Sequence, residues 1–191
     1  MTWYRELSGR HYFAVGVFLI LLTGVVLLAM GRVPICECDT IKLWHGVAVS
    51  SENSQHISDW YTPSHIIHGM LFFAILWWLA GTLPLGVRAC IAVVFEAAWE
   101  VFENTEFVIN RYRETTISLD YFGDSVLNSI SDISYMVLGF FLAAKLPVWV
   151  TVTLIVLAEI IVGYIIRDNL TLNVIMLIYP FEAIKIWQGG A

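Results

Sequence analysis

Two histidines and a group of carboxylates are the residues of this chain whose types and spacing could do chemistry. His65 and His68 lie three positions apart, so a helix would place them on one face. Glu96, Glu100 and Glu103 follow at spacings of four and three and would form a similar stripe. A third polar segment would occupy one arc of a later helix and contains Asp124, Ser125, Asn128, Ser129 and Asp132.

Imidazole and carboxylate groups that converge in a low-dielectric cavity suit a divalent metal such as Zn, Mn or Fe. The predicted metal ligands are His65, His68, Glu100 and Asp124. The predicted catalytic residues are Glu96 and Glu103, because a spare carboxylate can act as a general base toward metal-bound water. The alternative is a structural network in which histidines and acids satisfy one another between helices. Three acids on one helix face favour the metal, since they repel unless they are protonated, paired or metal-bound.

Arginines on the polar segments that follow the acids could bind an anionic group. Guanidinium forks bind phosphate or carboxylate in a bidentate manner, which would suit an anionic lipid headgroup arriving from the bilayer. The predicted substrate-binding residues are Arg111, Arg113, Arg167 and Asn128. Alternatively, Arg111 and Arg113 neutralise neighbouring acids, for which the candidates are Glu103, Glu106 and Asp120.

Five apolar segments must position these side chains. Each approaches the about 20 residues that a helix needs to cross about 30 Å of hydrocarbon. Turn signals rich in glycine and proline separate them, and the segments are 12–31, 62–82, 88–104, 124–144 and 148–166. A last apolar stretch, 170–187, contains Pro180 and could be a sixth crossing or an interfacial helix. The predicted fold class is therefore all-α integral membrane: a single domain over 1–191, with five transmembrane helices and a polar extramembrane loop at 32–61.

The lengths of the connections predict which polar residues share a membrane face. The connections after the second and fourth segments are short turns, whereas 32–61 and 105–123 are long and polar. Because consecutive crossings alternate in direction, both long loops must lie on one side, with the start of helix two and the end of helix three. Lysines and arginines are divided almost equally between the two sides. We predict a cytoplasmic N-terminus, since the first helix usually sets the orientation.

The composition supports a membrane protein and argues against nucleic-acid binding. The chain has 191 residues, of which 59% are hydrophobic and 14% are charged, and its mean hydropathy is +0.76. Average soluble domains are less apolar and more charged. The formal charge of −6 gives no basic surplus for phosphates. Several of the 8 Trp and 8 Tyr residues stand at the edges of apolar runs, which is typical of the membrane interface.

Three further features have open interpretations. Ser51 or Ser54 with His56 could form a nucleophile and base, although such local spacing is not specific. Cys36 and Cys38 could ligate a metal, form a local disulfide or remain free thiols. Glu159 falls near the middle of the fifth segment, deeper than an active site at the surface needs, and therefore favours a proton relay or a helix brace.

Several linked motifs resemble a known family. They are SSENSQHISDWY at 50–61, SHIIHG at 64–69, WEVFEN at 99–104, RYR at 111–113, DYFGDSVLNS at 120–129 and IRDN at 166–169. Together they resemble a family of uncharacterised multi-pass proteins of the bacterial inner membrane that share a domain of unknown function. The resemblance covers nearly the whole chain and implies an inner-membrane location, and it brings no established activity.

A looser similarity is to VanZ-like membrane proteins, in which a His, a Glu, an Arg and an Asp with an Asn occur in the same order along successive helices. The matching positions here are His65 or His68, Glu96 or Glu100, Arg111 or Arg113, and Asp124 with Asn128. The long first loop and the additional carboxylates depart from that pattern.

The leading functional hypothesis is a metal-assisted hydrolase or transferase that acts on an anionic envelope lipid at the periplasmic face. The alternative is a non-catalytic carrier, binding protein or assembly factor whose buried acids relay protons or brace helices. A subunit of a larger membrane complex is a third hypothesis.

Overall fold

The computed structural model describes residues 7–116 and 120–190 of the chain. Within these ranges the regular elements are all helices, and the one β-bridge, between His45 and Asp59, stands alone. The helices are α1 (Gly9–Ala29), α2 (Thr62–Ala80), α3 (Leu85–Glu103), α4 (Glu106–Thr115), α5 (Val126–Lys145), α6 (Val148–Ile166), α7 (Leu170–Ile178) and α8 (Glu182–Gln188). The predicted all-α class is confirmed.

Four of these helices, α1, α2, α5 and α6, are long and apolar enough to cross a membrane. The outward surfaces of α1 and α6 carry exposed Phe, Leu, Ile and Val side chains, as a lipid environment requires. Helix α3 has 19 residues, as α2 does, and also carries the predicted glutamate stripe. Its crossing of the membrane, which would be the fifth, stays a prediction.

Glycines allow α2 and α5 to form the most extensive helix contact in the bundle. A Cβ atom built on Gly69 would lie 1.9 Å from the carbonyl oxygen of Met136, and one on Gly139 would lie 2.0 Å from that of Ile66. No other residue type permits this approach, which is the small-residue packing common between membrane helices. The polar faces of α2 and α5 are consequently held close together.

The interior of the bundle is divided along its length. One half is an apolar core of Leu76, Ala92, Val93, Ile133, Met136 and Phe140. The other half, beside the long connections, contains most of the buried polar side chains. The apolar core fixes the helix spacing, and the polar half is the part of the bundle with material for a site.

Hydrogen bonds show that both long connections meet at one end of the bundle, as the alternation of helix direction predicts. The backbone amide of Val126 donates to the carbonyl of Val33 at 2.8 Å, and Gln55 Nε2 donates to the carbonyl of Gly123 at 2.9 Å. At the opposite end, Tyr12 of α1 packs over Gly86 at the start of α3. The prediction that both long connections lie at one end of the bundle is confirmed.

Two predicted segments differ from the structure. The connection at 105–123 contains the short amphipathic helix α4. The stretch 170–187 forms two helices, α7 and α8, because Pro180 lacks an amide proton and Tyr179 before it is extended. Helices of nine and seven residues are each too short to cross about 30 Å of hydrocarbon alone, which favours the interfacial alternative.

Candidate functional site

A cavity of about 390 Å³ lies in the polar half of the bundle, where α2, α3 and α5 meet α4 and α7. Its polar wall contains His65, His68, Glu96, Glu103, Asp124 and Asp132. Its apolar wall contains Phe72, Phe95, Trp99, Leu170, Val174 and Leu177. The described residues that line it include no lysine or arginine, so the cavity has a strongly acidic wall that basic side chains do not neutralise.

Glu96 connects the two predicted histidine ligands. Its Oε1 atom lies 2.7 Å from Nδ1 of His65 and 3.0 Å from Nδ1 of His68, and its carboxylate is fully buried. A carboxylate that accepts from Nδ1 fixes the orientation of an imidazole and leaves Nε2 free to bind a metal. This geometry is that of an orienting residue, whereas the sequence had suggested general base catalysis for Glu96.

Two further buried acids lie close to His65, one near each ring nitrogen. Its Nε2 atom is 3.7 Å from Oδ2 of Asp132, and its Nδ1 atom is 3.6 Å from Oε1 of Glu100. Neither oxygen of Glu100 has a hydrogen-bond partner in the described part of the chain, although the residue is completely buried. Asp132 Oδ1 and the neighbouring Ser129 hydroxyl are buried without a partner there too. Such orphaned polar groups are rare in native proteins and indicate an absent ligand or proton.

Asp124 lies immediately before α5, at the mouth of the same region. Its carboxylate accepts from Asn104 Nδ2 at 2.9 Å and from the Tyr121 hydroxyl at 3.0 Å. Its backbone amide donates to Asn104 Oδ1 at 2.7 Å. Burial raises the pKa of Asp124 to about 6, and the two side-chain hydrogen bonds oppose that rise.

Three overlapping groups of side chains have donor atoms within 4.8 Å of one another, which is close enough for one ion. They are His65 with His68 and Glu96, His65 with Glu100 and Asp132, and Glu100 with Glu103 and Asp124. The four predicted ligands are therefore neighbours, but they are distributed over more than one group. Their role as ligands stays a prediction.

The arginines predicted to bind substrate do not line the cavity. Arg111 donates to the carbonyls of Leu177 and Ile178, and Arg113 donates to that of Tyr121. Arg167 donates to the carbonyl of Trp187. Through backbone carbonyls these guanidinium groups connect α4 to α7, α4 to the loop before α5, and the end of α6 to α8. Neither the headgroup hypothesis nor the neutralisation of acids describes these contacts.

Asn128 also has a structural contact: its Nδ2 atom donates to the carbonyl of His56 at 2.9 Å. It thereby attaches the long first loop to α5. The carboxylate of Glu159 accepts from the backbone amides of Leu170 and Thr171 at 3.1 and 3.0 Å. These amides stand at the start of α7, where they have no acceptor within the helix. The structure therefore shows Glu159 as a cap for α7.

Comparison with known proteins identifies the relatives of this chain. Residues 27–190 match the family described as "Protein of unknown function (DUF2585)". The chain belongs to the DUF2585 family. It is 56% identical to a UPF0314 protein of Paracoccus denitrificans over 90% of this chain and 89% of that protein. It is 51% identical to a UPF0314 protein of Sphingopyxis alaskensis over 95% and 96% of the two chains. No solved structure matches.

Membership of the DUF2585 family confirms the resemblance seen in the motifs and the bacterial origin of the relatives. It assigns no activity, so the chemistry of this DUF2585 protein has to be argued from its site.

Two polar clusters were not identified as units from the sequence. Asp132 lies on the predicted polar arc of its helix but is not among the predicted metal ligands. Asp168 is fully buried and accepts from Tyr61, Asn169, Asn173 and Gln188. No local spacing could have shown this, since its partners come from three separate segments.

The first loop has its own contacts. Cys36 and Cys38 form a disulfide with each other, which is one of the three possibilities the sequence left open. Glu52 contacts both Lys42 and His56, and these side chains lower its pKa to about 2. His56 Nε2 therefore faces a carboxylate, and the serine pairing suggested from the sequence is not the contact seen: His45 Nε2 lies 2.8 Å from Ser50 Oγ instead.

Proposed function

We propose that this protein is a metal-dependent hydrolase or transferase of the bacterial inner membrane that acts on a lipid with an anionic headgroup. The observation that carries the proposal is Glu100, a completely buried carboxylate with no hydrogen-bond partner in the described residues. An ionised carboxylate that is buried without hydrogen bonds costs several kcal/mol, on the order of the whole stability of a domain. A bound cation removes that cost.

We assign His65, Glu100 and Asp132 to one ion, because their donor atoms lie within 4.8 Å of one another and both acids have buried oxygens without a hydrogen-bond partner in the described residues. Imidazole nitrogen and carboxylate oxygen together suit Zn, Mn or Fe. Glu96 lies behind His65 and holds its ring, as carboxylates do behind histidine ligands in metal sites. Three protein ligands leave coordination positions for water and substrate, which is typical of catalytic sites rather than structural ones.

The walls of the cavity favour an amphipathic substrate. Phe72, Phe95 and Trp99 lie on one side of it, and the carboxylates lie on the other. Phe95 is also 57% exposed on the outside of α3, so the apolar wall continues to the lipid-facing surface. A lipid chain would therefore contact the aromatic wall while its headgroup reaches the metal ligands.

Glu103 is the candidate proton acceptor. It lines the cavity, is only partly buried, and lies one turn from Glu100. A carboxylate at this position could accept a proton from metal-bound water. The anionic headgroup would be attracted by the metal, because the three arginines first assigned to that role bind backbone carbonyls.

We further propose five crossings with a cytoplasmic N-terminus, which places the cavity at the periplasmic face. The Cys36–Cys38 disulfide supports this orientation, since disulfides persist in the oxidising periplasm.

The test is the metal content of the full-length protein purified in detergent without chelator. We expect at least one equivalent of Zn, Mn or Fe by mass spectrometry, and we expect Glu100→Gln to lose it. Asp168→Asn is the matched control, because it also changes a buried carboxylate but lies outside the three candidate groups. Metal-free wild-type protein that also fails to bind added ions would refute the proposal, as would equal metal content in wild type and Glu100→Gln.

A proton relay is the second candidate function. In its favour, carboxylates continue from Asp132 through Glu100 to Glu103 and Asp124 without an intervening lysine or arginine in the described residues. Protonated acids could then satisfy one another. This function predicts metal-free protein and proton uptake into proteoliposomes that Glu100→Gln abolishes.

A further inference from the structure

A second group of potential metal ligands lies next to the group proposed above for the first ion. Glu100, Glu103 and Asp124 have donor atoms within 4.8 Å of one another, and so do His65, Glu100 and Asp132. Glu100 is common to both groups. Its position one turn before Glu103 on α3 lets a single carboxylate face both sets of partners.

The hydrogen-bonding state of Glu100 supports a bridging role. A carboxylate that served only one ion would have its second oxygen free for a hydrogen-bond donor, and buried oxygens normally have one. Both Oε1 and Oε2 of Glu100 lack a donor among the described residues, and the side chain is 1% exposed. Two separate positive charges, one at each oxygen, would satisfy both atoms.

The negative charge of the three overlapping groups also favours two ions over one. Five carboxylates belong to the three overlapping groups, and they are accompanied by two histidines. One of the acids, Glu96, is paired with both imidazoles. A single divalent ion neutralises two of the remaining four negative charges, whereas two ions neutralise all four. Because the described lining of the cavity contains no lysine or arginine, metal ions or protons have to neutralise these carboxylates.

We infer that Glu100 bridges two divalent metal ions, one held with His65 and Asp132 and the other with Glu103 and Asp124, in a centre that binds phosphate esters. This inference rests on the proposed function and adds the second ion and the substrate class. Two-metal centres hold their ions about 3.5–4 Å apart and bind phosphoryl oxygens between them. Asn104 and Tyr121 donate to the carboxylate of Asp124 and hold it in place, as hydrogen-bond donors behind the ligands do in metal sites.

The experiment is a titration of the purified, metal-depleted full-length protein with Mn²⁺, followed by metal analysis and electron paramagnetic resonance. We expect two equivalents and the multiline spectrum of two spin-coupled Mn²⁺ ions. One equivalent with the spectrum of an isolated ion would overturn the second site and leave the proposed function intact. No binding would overturn both.

Variants assign the two sites. Glu103→Gln, which changes a partly exposed side chain, is expected to bind one equivalent and to lose the spin coupling, and Asp132→Asn is expected to do the same from the other side. Two coupled ions in Glu103→Gln would overturn the assignment. If a variant does not fold, the wild-type stoichiometry and spectrum still decide between one ion and two.

Inorganic phosphate tests the substrate class. Added to the wild-type protein loaded with Mn²⁺, it is expected to change the coupled spectrum, because it would bind to both ions. An unchanged spectrum at millimolar phosphate would overturn the phosphate assignment while leaving the ion count as measured.

Discussion

Asp168 and Glu100 are two buried carboxylates at the same end of one small protein, and they have opposite surroundings. Asp168 accepts four hydrogen bonds, from Tyr61, Asn169, Asn173 and Gln188, at 3.0 to 3.4 Å. Glu100 accepts none from the residues the structure describes. Both are completely buried. The first arrangement is complete within the described residues, whereas the second has the unsatisfied oxygens on which our metal proposal depends.

Asp168 and Glu100 differ in whether their side chains hold structural elements together. The Asp168 cluster joins the start of α2 to α7 and α8, and α7 contributes Leu170, Val174 and Leu177 to the cavity wall. Its hydrogen bonds therefore fix the wall that a substrate would contact. The Glu100 side chain makes no hydrogen bond that joins elements in the described residues, and the apolar core and the α2–α5 glycine contact hold the helices together.

The largest expected effect is that of removing the carboxylate from the satisfied cluster. Asp168→Leu leaves four donors without an acceptor in a buried place, and we expect it to lower the free energy of unfolding by about 3–5 kcal/mol. Chemical denaturation in detergent, followed by tryptophan fluorescence, measures the change. Asp120→Leu is the control, because Asp120 is exposed and its replacement should cost less than about 0.5 kcal/mol. Equal effects would remove the distinction on which the comparison depends.

In metal-depleted protein, replacing Glu100 is expected to raise the free energy of unfolding. Glu100→Met replaces a buried acid that accepts no hydrogen bond with an apolar chain of similar size and should stabilise the protein by about 1–4 kcal/mol, as such replacements often do. The same variant should no longer gain stability when Zn²⁺ or Mn²⁺ is added. A loss of stability in the metal-depleted state would mean that Glu100 has a partner that the structure does not show.

A smaller effect is expected from separating α2 and α5. Gly69→Ala introduces a Cβ atom against the backbone of Met136, and the resulting shift should cost about 1–3 kcal/mol. It also moves His65 away from Asp132, so metal affinity should fall while the Asp168 cluster stays intact. Gly16→Ala is the matched control, because nothing lies within 4 Å of its new methyl group. Unchanged metal affinity in Gly69→Ala would argue against a site between these helices.

The smallest expected effect is a dependence on pH. Burial raises the pKa of Asp168 to about 6 from an ordinary 3.8, although its hydrogen bonds oppose the rise. The folded protein then holds this proton more tightly than the unfolded chain, so the contribution to stability is full below about pH 4 and is lost as the pH rises through 6. Relative to Asp168→Asn, the wild type should gain about 1 kcal/mol between about pH 7 and about pH 5. Melting curves of both proteins measure this difference, and parallel pH profiles would contradict it.

The sequence predicted the parts of the molecule that depend on local pattern. Apolar length located the five long helices, and the unequal connections placed both long loops at one end. The positions of His65, Glu96 and Glu100 in the sequence predicted which faces of α2 and α3 meet. These predictions succeed because helical periodicity and the alternation of crossing direction act over short distances or follow from connectivity alone.

What the sequence could not give depends on tertiary contacts. Arg111 and Arg113 have the side chains of a phosphate site, but the carbonyls that they bind belong to α7 and to Tyr121. Asp132 is not among the predicted ligands, because the close α2–α5 contact that brings it to His65 depends on two glycines far apart in the chain. The pairing of Asp168 with Gln188 joins segments whose proximity no periodicity reveals.

The most direct test is an experimental structure of the wild-type protein supplied with Zn²⁺ or Mn²⁺, with anomalous scattering recorded at the edge of the metal. The account predicts an anomalous peak in contact with His65 Nε2 and with oxygens of Glu100 and Asp132, at about 2.0–2.2 Å for Zn²⁺. Density for water alone, or direct hydrogen bonds among the three side chains with no peak, would contradict it.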